Sequence, residues 1–204
     1  MAKPLIQPEA IYEAALQLVQ HPNAPTLTMR RLSHHLGCSS RTLYQQVGRQ
    51  DDLIKGVLDH YLRTQAAPLV NTGRWRETAY QWAISLRALL VAVPELTRQL
   101  STANRQAIVE FTYPLYEAML EAGLTPSTAV PACRSIVHVT TSLAIAEIET
   151  TTEPSVDQPP DETLSTYVAL HEAANFYGVV PNTETVPETF EQTLTWLIAG
   201  IPGT

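Results

Sequence analysis

Cysteine is scarce in this 204-residue chain, which contains only Cys38 and Cys133. The two lie far apart, and neither belongs to a Cys-x-x-Cys pair. A disulfide framework and a thiolate metal site are therefore not expected. We predict that both cysteines are small, buried, apolar side chains.

Signatures of catalysis are also lacking. The sequence contains no phosphate-binding glycine loop and no Gly-x-Ser-x-Gly motif. The stretch that begins at His171 resembles a His-Glu-x-x-His zinc helix, but Asn175 occupies the position of the second ligand. His34 and His35 are adjacent and so point in different directions. We expect no metal, no cofactor and no enzymatic activity; a helical-bundle enzyme is the least favoured alternative.

No uninterrupted apolar run reaches the roughly 18 residues that a membrane helix needs. The N-terminal residues Met1-Ala2-Lys3-Pro4 lack the apolar core of a secretory signal. We therefore expect a cytoplasmic protein without a membrane partner.

Charge is sparse and unevenly distributed. Charged residues make up 16% of the chain and hydrophobic residues 45%, which is typical of a globular protein. The formal net charge is −7, but residues 1–65 carry seven Lys or Arg against five Asp or Glu, whereas the remainder carries six against fifteen. A mildly basic end on an acidic body favours a protein that presents one end to a polyanion.

The hydrophobic pattern has the period of helices, and convincing strand alternation is absent, so the predicted fold class is all-α. Ile11, Ala14 and Val19, for example, follow the spacing of one buried helical face. Thr28 and Ser39 are predicted N-caps, and glycines end the second and third helices. The first four helices are predicted over residues 8–20, 29–36, 40–47 and 51–65.

After a joint over residues 67–73, longer helical stretches follow. Pro114 should kink or divide the third of them. Residues 150–161 are proline-rich and predict a mobile loop, and Glu147, near a helix end, is expected to be exposed. The predicted helices span 75–93, 95–101, 103–122, 126–149, 163–177 and 187–201. The whole is expected to contain about 9–10 helices in two domains. Residues 1–65 form a DNA-binding domain, with a three-helix helix-turn-helix unit followed by the fourth helix. Residues 66–204 form a larger ligand-binding and dimerisation domain.

Residues 27–62 carry the most informative pattern. Two short helices separated by Gly37-Cys38-Ser39 have the lengths of a helix-turn-helix, whose second helix lies in the major groove of DNA. The residue types fit this role. Arg41 can bond two acceptors on guanine, Gln45 can pair with adenine, and Tyr44 can hold a phosphate.

The same stretch resembles the TetR family of bacterial regulators. The matching positions, at fixed spacing, are Leu27, Thr28, Leu32, Leu36, Gly37, Ser39, Thr42, Leu43 and Tyr44, followed by Asp51, Asp52 and Leu53. Val47 stands where members usually have an aromatic residue, and Gln50 where many have a phosphate-binding Lys; Arg49 is the alternative residue for that contact. The DNA-binding residues expected from motif and resemblance together are Thr28, Arg30, Ser39, Ser40, Arg41, Thr42, Tyr44, Gln45, Gln46, Arg49 and Gln50.

The resemblance continues into a C-terminal domain that looks like that of tetracycline-type repressors. It implies an effector pocket among the fifth, seventh and eighth helices, and a homodimer interface from the eighth and tenth helices. Thr64 and Trp82 stand where those repressors have polar ligand contacts, so an apolar or aromatic effector is expected. The candidate pocket residues are Trp82, Leu86, Tyr113, Tyr116, His138, Thr141 and Ser142. The candidate interface residues are Phe190, Leu194, Leu197, Ile198 and Ile201.

The sequence therefore predicts a homodimeric repressor that a small effector releases from a near-palindromic operator in double-stranded DNA. Three alternatives stay open: a helical dimeric interaction module, a regulator that responds to a protein or to no ligand, and an activator.

Overall fold

The computed structural model describes residues 6–21, 24–101, 106–152 and 186–202, and these residues form helices without a strand among them, which confirms the predicted fold class. The helices are α1 (Pro8–Val19), α2 (Met29–His35), α3 (Ser40–Val47), α4 (Gln50–Gln65), α5 (Trp75–Ala92), α6 (Pro94–Arg98), α7 (Gln106–Phe111), α8 (Tyr113–Glu121), α9 (Pro126–Thr152) and α10 (Val186–Gly200). Helix α9 continues three residues past its predicted end. The rest of the predicted loop and the helix predicted over residues 163–177 lie outside the described residues.

Side-chain caps define the start of α2 and α3. The Thr28 hydroxyl accepts a hydrogen bond from the Arg31 backbone N–H at 3.2 Å, and the Ser39 hydroxyl accepts one from the Thr42 N–H at 3.1 Å. Each cap satisfies an N–H group that the helix itself leaves unpaired. Gly37, with φ of +60°, reverses the chain between the two helices. The sequence predicted both caps and the turn.

Gly48 makes the sharper turn between α3 and α4. Its φ of +76° and ψ of −144° lie in a region that is nearly restricted to glycine, and an added Cβ would lie 2.6 Å from the Asp52 carboxylate. That carboxylate accepts the Arg49 backbone N–H at 2.8 Å, which caps α4.

We expect Gly48→Ala to lower the free energy of unfolding by about 1–3 kcal/mol, from backbone strain and displacement of the Asp52 cap. Thermal and urea unfolding measure this loss. Gly200→Ala is the matched control, because a Cβ there meets nothing within 4 Å. Equal stabilities of the two variants would contradict this account of the turn.

Pro114 divides the helix predicted over residues 103–122, as the sequence allowed. It has no N–H group to donate to the residue four positions earlier, so the helical ladder breaks at Thr112. The proline instead occupies the first turn of α8, where a missing N–H costs nothing. The result is an interruption at Thr112 between α7 and α8 that separates Phe111 from Tyr113.

Helices α5, α9 and α10 form the centre of the larger part of the molecule. Helix α9 packs against α5, α8 and α10. Arg87 of α5 makes a two-pronged ion pair with Glu147 of α9, at 2.8 and 2.7 Å, and its guanidinium lies 5.2 Å from the centre of the Phe190 ring of α10. Glu147 is therefore partly buried and paired, and the expectation that it is exposed is wrong.

Helix α9 also corrects the expectation that no segment is apolar enough to cross a membrane. By length and composition alone, Pro126–Glu149 could do so, with a mean hydropathy of 1.3. Its contacts with three neighbouring helices give a sufficient reason for this apolar character, since a core helix passes the same test.

The residues predicted to form the dimer interface lie inside the subunit instead. Phe190, Leu194, Ile198 and Ile201 are buried, and Leu197 is half-buried. They face α5 and α9 of the same chain. The hydrophobic stripe of α10 was correctly identified as buried, but its partner is the subunit's own core. The exposed face of α10 carries Trp196.

Candidate functional site

Helix α3 presents one exposed polar face. Arg41, Tyr44 and Gln45 are exposed, while Leu43 and Val47 anchor the opposite face in the core. Arg41 and Gln45 are four residues apart and so lie on the same side of the helix. Tyr44 is 49% exposed, an unusual position for a large ring, which leaves its hydroxyl accessible. Two further predicted DNA-binding residues, Arg30 and Arg49, lie close to α3 in the sequence and are also exposed.

Other predicted DNA-binding residues are already engaged within the subunit. The hydroxyls of Thr28 and Ser39 act as helix caps, and Ser39 also bonds the Thr42 hydroxyl at 2.8 Å. Ser40 bonds the Ser33 hydroxyl at 2.9 Å and links α3 to α2. Thr28 thus positions α2, and Ser39, Ser40 and Thr42 position α3. A hydroxyl whose proton is not engaged in these bonds can still donate it to a phosphate oxygen.

Gln46 is half-buried and faces away from the exposed side of α3. Its amide nitrogen donates to the Ile6 carbonyl at 3.0 Å, which ties the segment before α1 to α3. The structure thus assigns Gln46 a structural contact in place of the base contact that the sequence suggested.

Gln50 is likewise turned inward and joins three parts of the chain. Its amide oxygen accepts the Met29 N–H at 3.2 Å. Its amide nitrogen donates to the Leu27 carbonyl at 2.7 Å and to the Gln99 side-chain oxygen at 3.3 Å. The amide therefore connects the start of α4 to the start of α2 and to the segment after α6. Of the two residues considered for the phosphate contact, Arg49 is the exposed one.

We expect Gln50→Ala to reduce the free energy of unfolding by about 1–3 kcal/mol, because the partly buried Met29 N–H and Leu27 carbonyl lose their partner. Chemical denaturation checks this value. Gln45→Ala is the control: the side chain is exposed, so stability should stay within about 0.5 kcal/mol of the parent protein. A stability loss at Gln45 as large as that at Gln50 would contradict the inward role of Gln50.

Helix α4 is in contact with the C-terminal part along its whole length. The Asp51 carboxylate accepts from the Ser101 hydroxyl at 3.1 Å, and Lys55 lies 3.8 Å from the Glu110 carboxylate. Further along, the Tyr61 hydroxyl donates to the Leu89 carbonyl at 3.1 Å. Because α4 also packs on α1 and α3, a displacement of α7 would be passed to the helix-turn-helix.

A groove between α8 and α9 contains three of the predicted pocket residues. It has a volume of about 460 Å3 and is lined by Tyr113, Tyr116 and His138 together with Val109, Thr112, Val130, Cys133, Arg134 and Val137. A smaller extension of about 140 Å3 shares His138 and adds the predicted Thr141 and Ser142. Burial raises the pKa of the Cys133 thiol to about 11, so this side chain acts as an apolar wall.

The other two predicted pocket residues lie elsewhere. Trp82 lines a separate cleft of about 380 Å3 beside the end of α4, with Leu62, Arg63 and Phe111 among its neighbours. Its indole N–H donates to the Phe111 carbonyl at 3.3 Å. Leu86 is fully buried, so it is a core residue.

The sequence prediction missed Val130, Arg134 and Val137, although a signal for them was present. Together with His138 and Thr141 they follow the spacing of one helical face. The α4 cleft was harder to find, because its lining comes from the chain after α4 and from α5 and α7, which only the tertiary structure brings together.

A capped helix-turn-helix, joined through α4 to a larger helical body with internal cavities, defines a helix-turn-helix regulator with a separate sensing part. Comparison with known proteins identifies the group. Residues 67–204 match the family described as the tetracyclin repressor-like, C-terminal domain. The chain belongs to the TetR family of transcriptional regulators.

Individual relatives agree with this assignment. An HTH-type transcriptional repressor of Mycobacterium tuberculosis is 33% identical over 93 residues, a match that covers 45% of this chain but 36% of the relative. A possible TetR family transcriptional regulator from Streptomyces coelicolor A3(2) superimposes with a TM-score of 0.73 at 25% identity, over 95% of this chain and 98% of the other. ActR of Streptomyces coelicolor, in complex with (S)-DNPA, gives a TM-score of 0.67 at 21% identity over 98% of both chains.

Proposed function

We propose that the chain is a homodimeric transcriptional repressor that a small apolar or aromatic molecule releases from operator DNA. The observation that carries the proposal is the exposed face of Arg41, Tyr44 and Gln45 on a capped helix whose opposite face is anchored in the core by Leu43 and Val47. The repressor from Mycobacterium tuberculosis supports the direction of regulation. We place the boundary between the DNA-binding and sensing parts at residue 65, where α4 ends. The protein acts in the cytoplasm by binding and not by catalysis.

In the DNA complex, α3 of each subunit enters a major groove. Two such helices about 34 Å apart face successive grooves of a near-palindromic site. Arg41 bonds guanine and Gln45 bonds adenine, while Tyr44, Arg30 and Arg49 hold phosphates.

The dimer forms through the exposed face of α10. Trp196 is 56% exposed there, and a large aromatic side chain is a common anchor of protein interfaces. This face replaces the buried stripe of α10 that the sequence suggested.

The effector binds in the groove between α8 and α9. The groove is large enough for a small organic molecule and is lined mainly by apolar and aromatic side chains. ActR, which has the same fold, has been solved with the small molecule (S)-DNPA. Thr112 and Tyr113 line the groove, whereas Phe111, directly before them, lines the cleft against α4. A ligand that shifts the junction between α7 and α8 therefore moves Phe111 against α4.

Such a ligand releases DNA only if it prefers a state in which the two α3 helices are misplaced. The helix α4 passes the change on, because it contacts both α7 and the helix-turn-helix.

Selection of binding sites from a random double-stranded DNA pool tests the DNA part of the proposal. We expect enrichment of a near-palindrome whose half-sites lie about one helical turn apart. A gel shift with the enriched site is then expected to show two subunits bound to each DNA site. Enrichment of no sequence would contradict a sequence-specific regulator and favour the interaction-module alternative. A ligand that strengthens the shift would contradict effector release.

A further inference from the structure

Three apolar or aromatic side chains that line the groove between α8 and α9 are well exposed. Val109, Tyr113 and Val130 are 65%, 60% and 55% exposed, and all three line it. Tyr113 and Tyr116 stand side by side, with ring centres 6.4 Å apart. A concave, mainly apolar surface of this volume is typical of a small-molecule site. Its shape and aromatic lining suit a flat, apolar body.

The polar groups of the groove are cationic or neutral, and none of its lining residues is acidic. Arg134 and His138, one turn apart on α9, are both exposed at its rim. In the part of the chain that the structure describes, Arg134 has no carboxylate within ion-pair distance, although Arg87, Arg63, Arg74 and Arg98 each have one. Among the residues that the structure describes, no carboxylate competes with an anion for this guanidinium.

A second, independent observation lies in the extension of the groove. Thr141 is 4% exposed, and its hydroxyl has no hydrogen-bond partner within the described residues. Buried hydroxyls nearly always have a partner, because desolvation without one is costly. Thr141 lines the extension together with His138, so a molecule that reaches past His138 can supply the missing partner.

We propose that the groove binds an organic anion with an aromatic body, whose carboxylate lies against Arg134 and His138. The rings pack between Tyr113, Tyr116 and the valines, and a polar substituent reaches Thr141. The guanidinium fork matches a carboxylate with two parallel hydrogen bonds, which favours this anion over a neutral group of the same shape. The identification of this anion as the effector rests on the proposed function; the binding itself does not.

Three naphthalene derivatives of similar size test the charge preference: 2-naphthoate, naphthalene-2-carboxamide and 2-naphthylmethylamine. Isothermal titration with the full chain is expected to show naphthoate binding at least about tenfold more tightly than the amide, and the amine more weakly still. Arg134→Gln should remove most of this preference. Arg63→Gln is the matched control, since Arg63 lines the other cleft and already pairs with Asp59. It should bind naphthoate as the parent protein does.

Equal affinity for naphthoate and the amide would overturn the proposal, as would an unchanged preference in Arg134→Gln. The absence of saturable naphthoate binding would also overturn it. Loss of binding in Arg63→Gln alone would place the anion in the α4 cleft. Binding that weakens as the protein concentration rises would identify a second copy of the chain as the occupant of the groove.

Operator binding by the same preparations separates this proposal from the proposed function. Arg134→Gln should bind the selected DNA as the parent protein does, because Arg134 lies on α9. If the parent protein binds naphthoate selectively but selects no DNA, the repressor proposal fails and the anion site stands.

Discussion

Substitution of Arg41 by Ala is expected to weaken operator binding by roughly 30-fold or more. Each subunit loses a two-pronged contact to a base, worth about 1–3 kcal/mol, and a dimer loses two of them. The side chain is exposed, so its removal leaves the core and the Ser39 cap unchanged. Titration of the selected operator followed by fluorescence anisotropy measures the change.

The control for Arg41→Ala must remove the same charge at another place. Arg74→Ala does so, because Arg74 is exposed at the start of α5 and pairs only with Glu77 on the same helix in the described residues. It should bind the operator as the parent protein does. A base pair that only Arg41 reads should also become tolerant to substitution in Arg41→Ala. Uniform weakening on every sequence would instead assign Arg41 to a phosphate.

Substitution of Phe190 by Ala is expected to lower the free energy of unfolding by about 3–5 kcal/mol. The ring is 1% exposed and is surrounded by α5, α9 and the Arg87 guanidinium. Its removal leaves a cavity and exposes the apolar side of the Arg87–Glu147 pair. Urea unfolding at several protein concentrations measures the loss and separates it from dimer dissociation.

Trp196→Ala, on the same helix, is expected to weaken the dimer and not the fold of the subunit. Trp196 is more than half exposed, so the unfolding of a single subunit should change little, whereas the dimer should dissociate at a higher protein concentration. Sedimentation equilibrium checks this expectation. If Phe190→Ala dissociated the dimer without destabilising the subunit, the interface originally predicted from the sequence would be restored.

Local rules of helix formation were sufficient to predict most of the elements. The caps at Thr28 and Ser39 and the glycine turns depend only on neighbouring residues, and the structure contains all of them. The exposed face of α3 followed from its spacing in the same way. Such features can be predicted from the sequence because the residues that determine them lie within one or two helical turns of each other.

The errors arose where an outcome depends on which helices meet. A stripe of apolar residues on α10 shows that one face is buried, but the stripe is the same whether α9 of its own subunit or a partner covers it. Trp82 and Tyr113 were assigned to one pocket because the resemblance implies a single pocket among these helices, yet Phe111 separates them. Gln46 and Gln50 were predicted to lie on the polar DNA-binding surface. The position of a glutamine in the sequence does not show whether its amide faces solvent or the subunit.

The inward amide of Gln50 has a consequence for how the protein responds to ionic strength. Many members of the family have a lysine at this position, which neutralises one phosphate in each subunit. A neutral amide bound to Met29 and Leu27 cannot do so. In the proposed complex the charge comes instead from the neighbouring Arg49, which is exposed. Because a dimer neutralises two phosphates through this residue, Arg49→Ala should make the slope of log affinity against log salt concentration shallower by about 2. An amide that joins the two parts of the molecule and a guanidinium beside it that senses ionic strength thus divide between them the two tasks of one position.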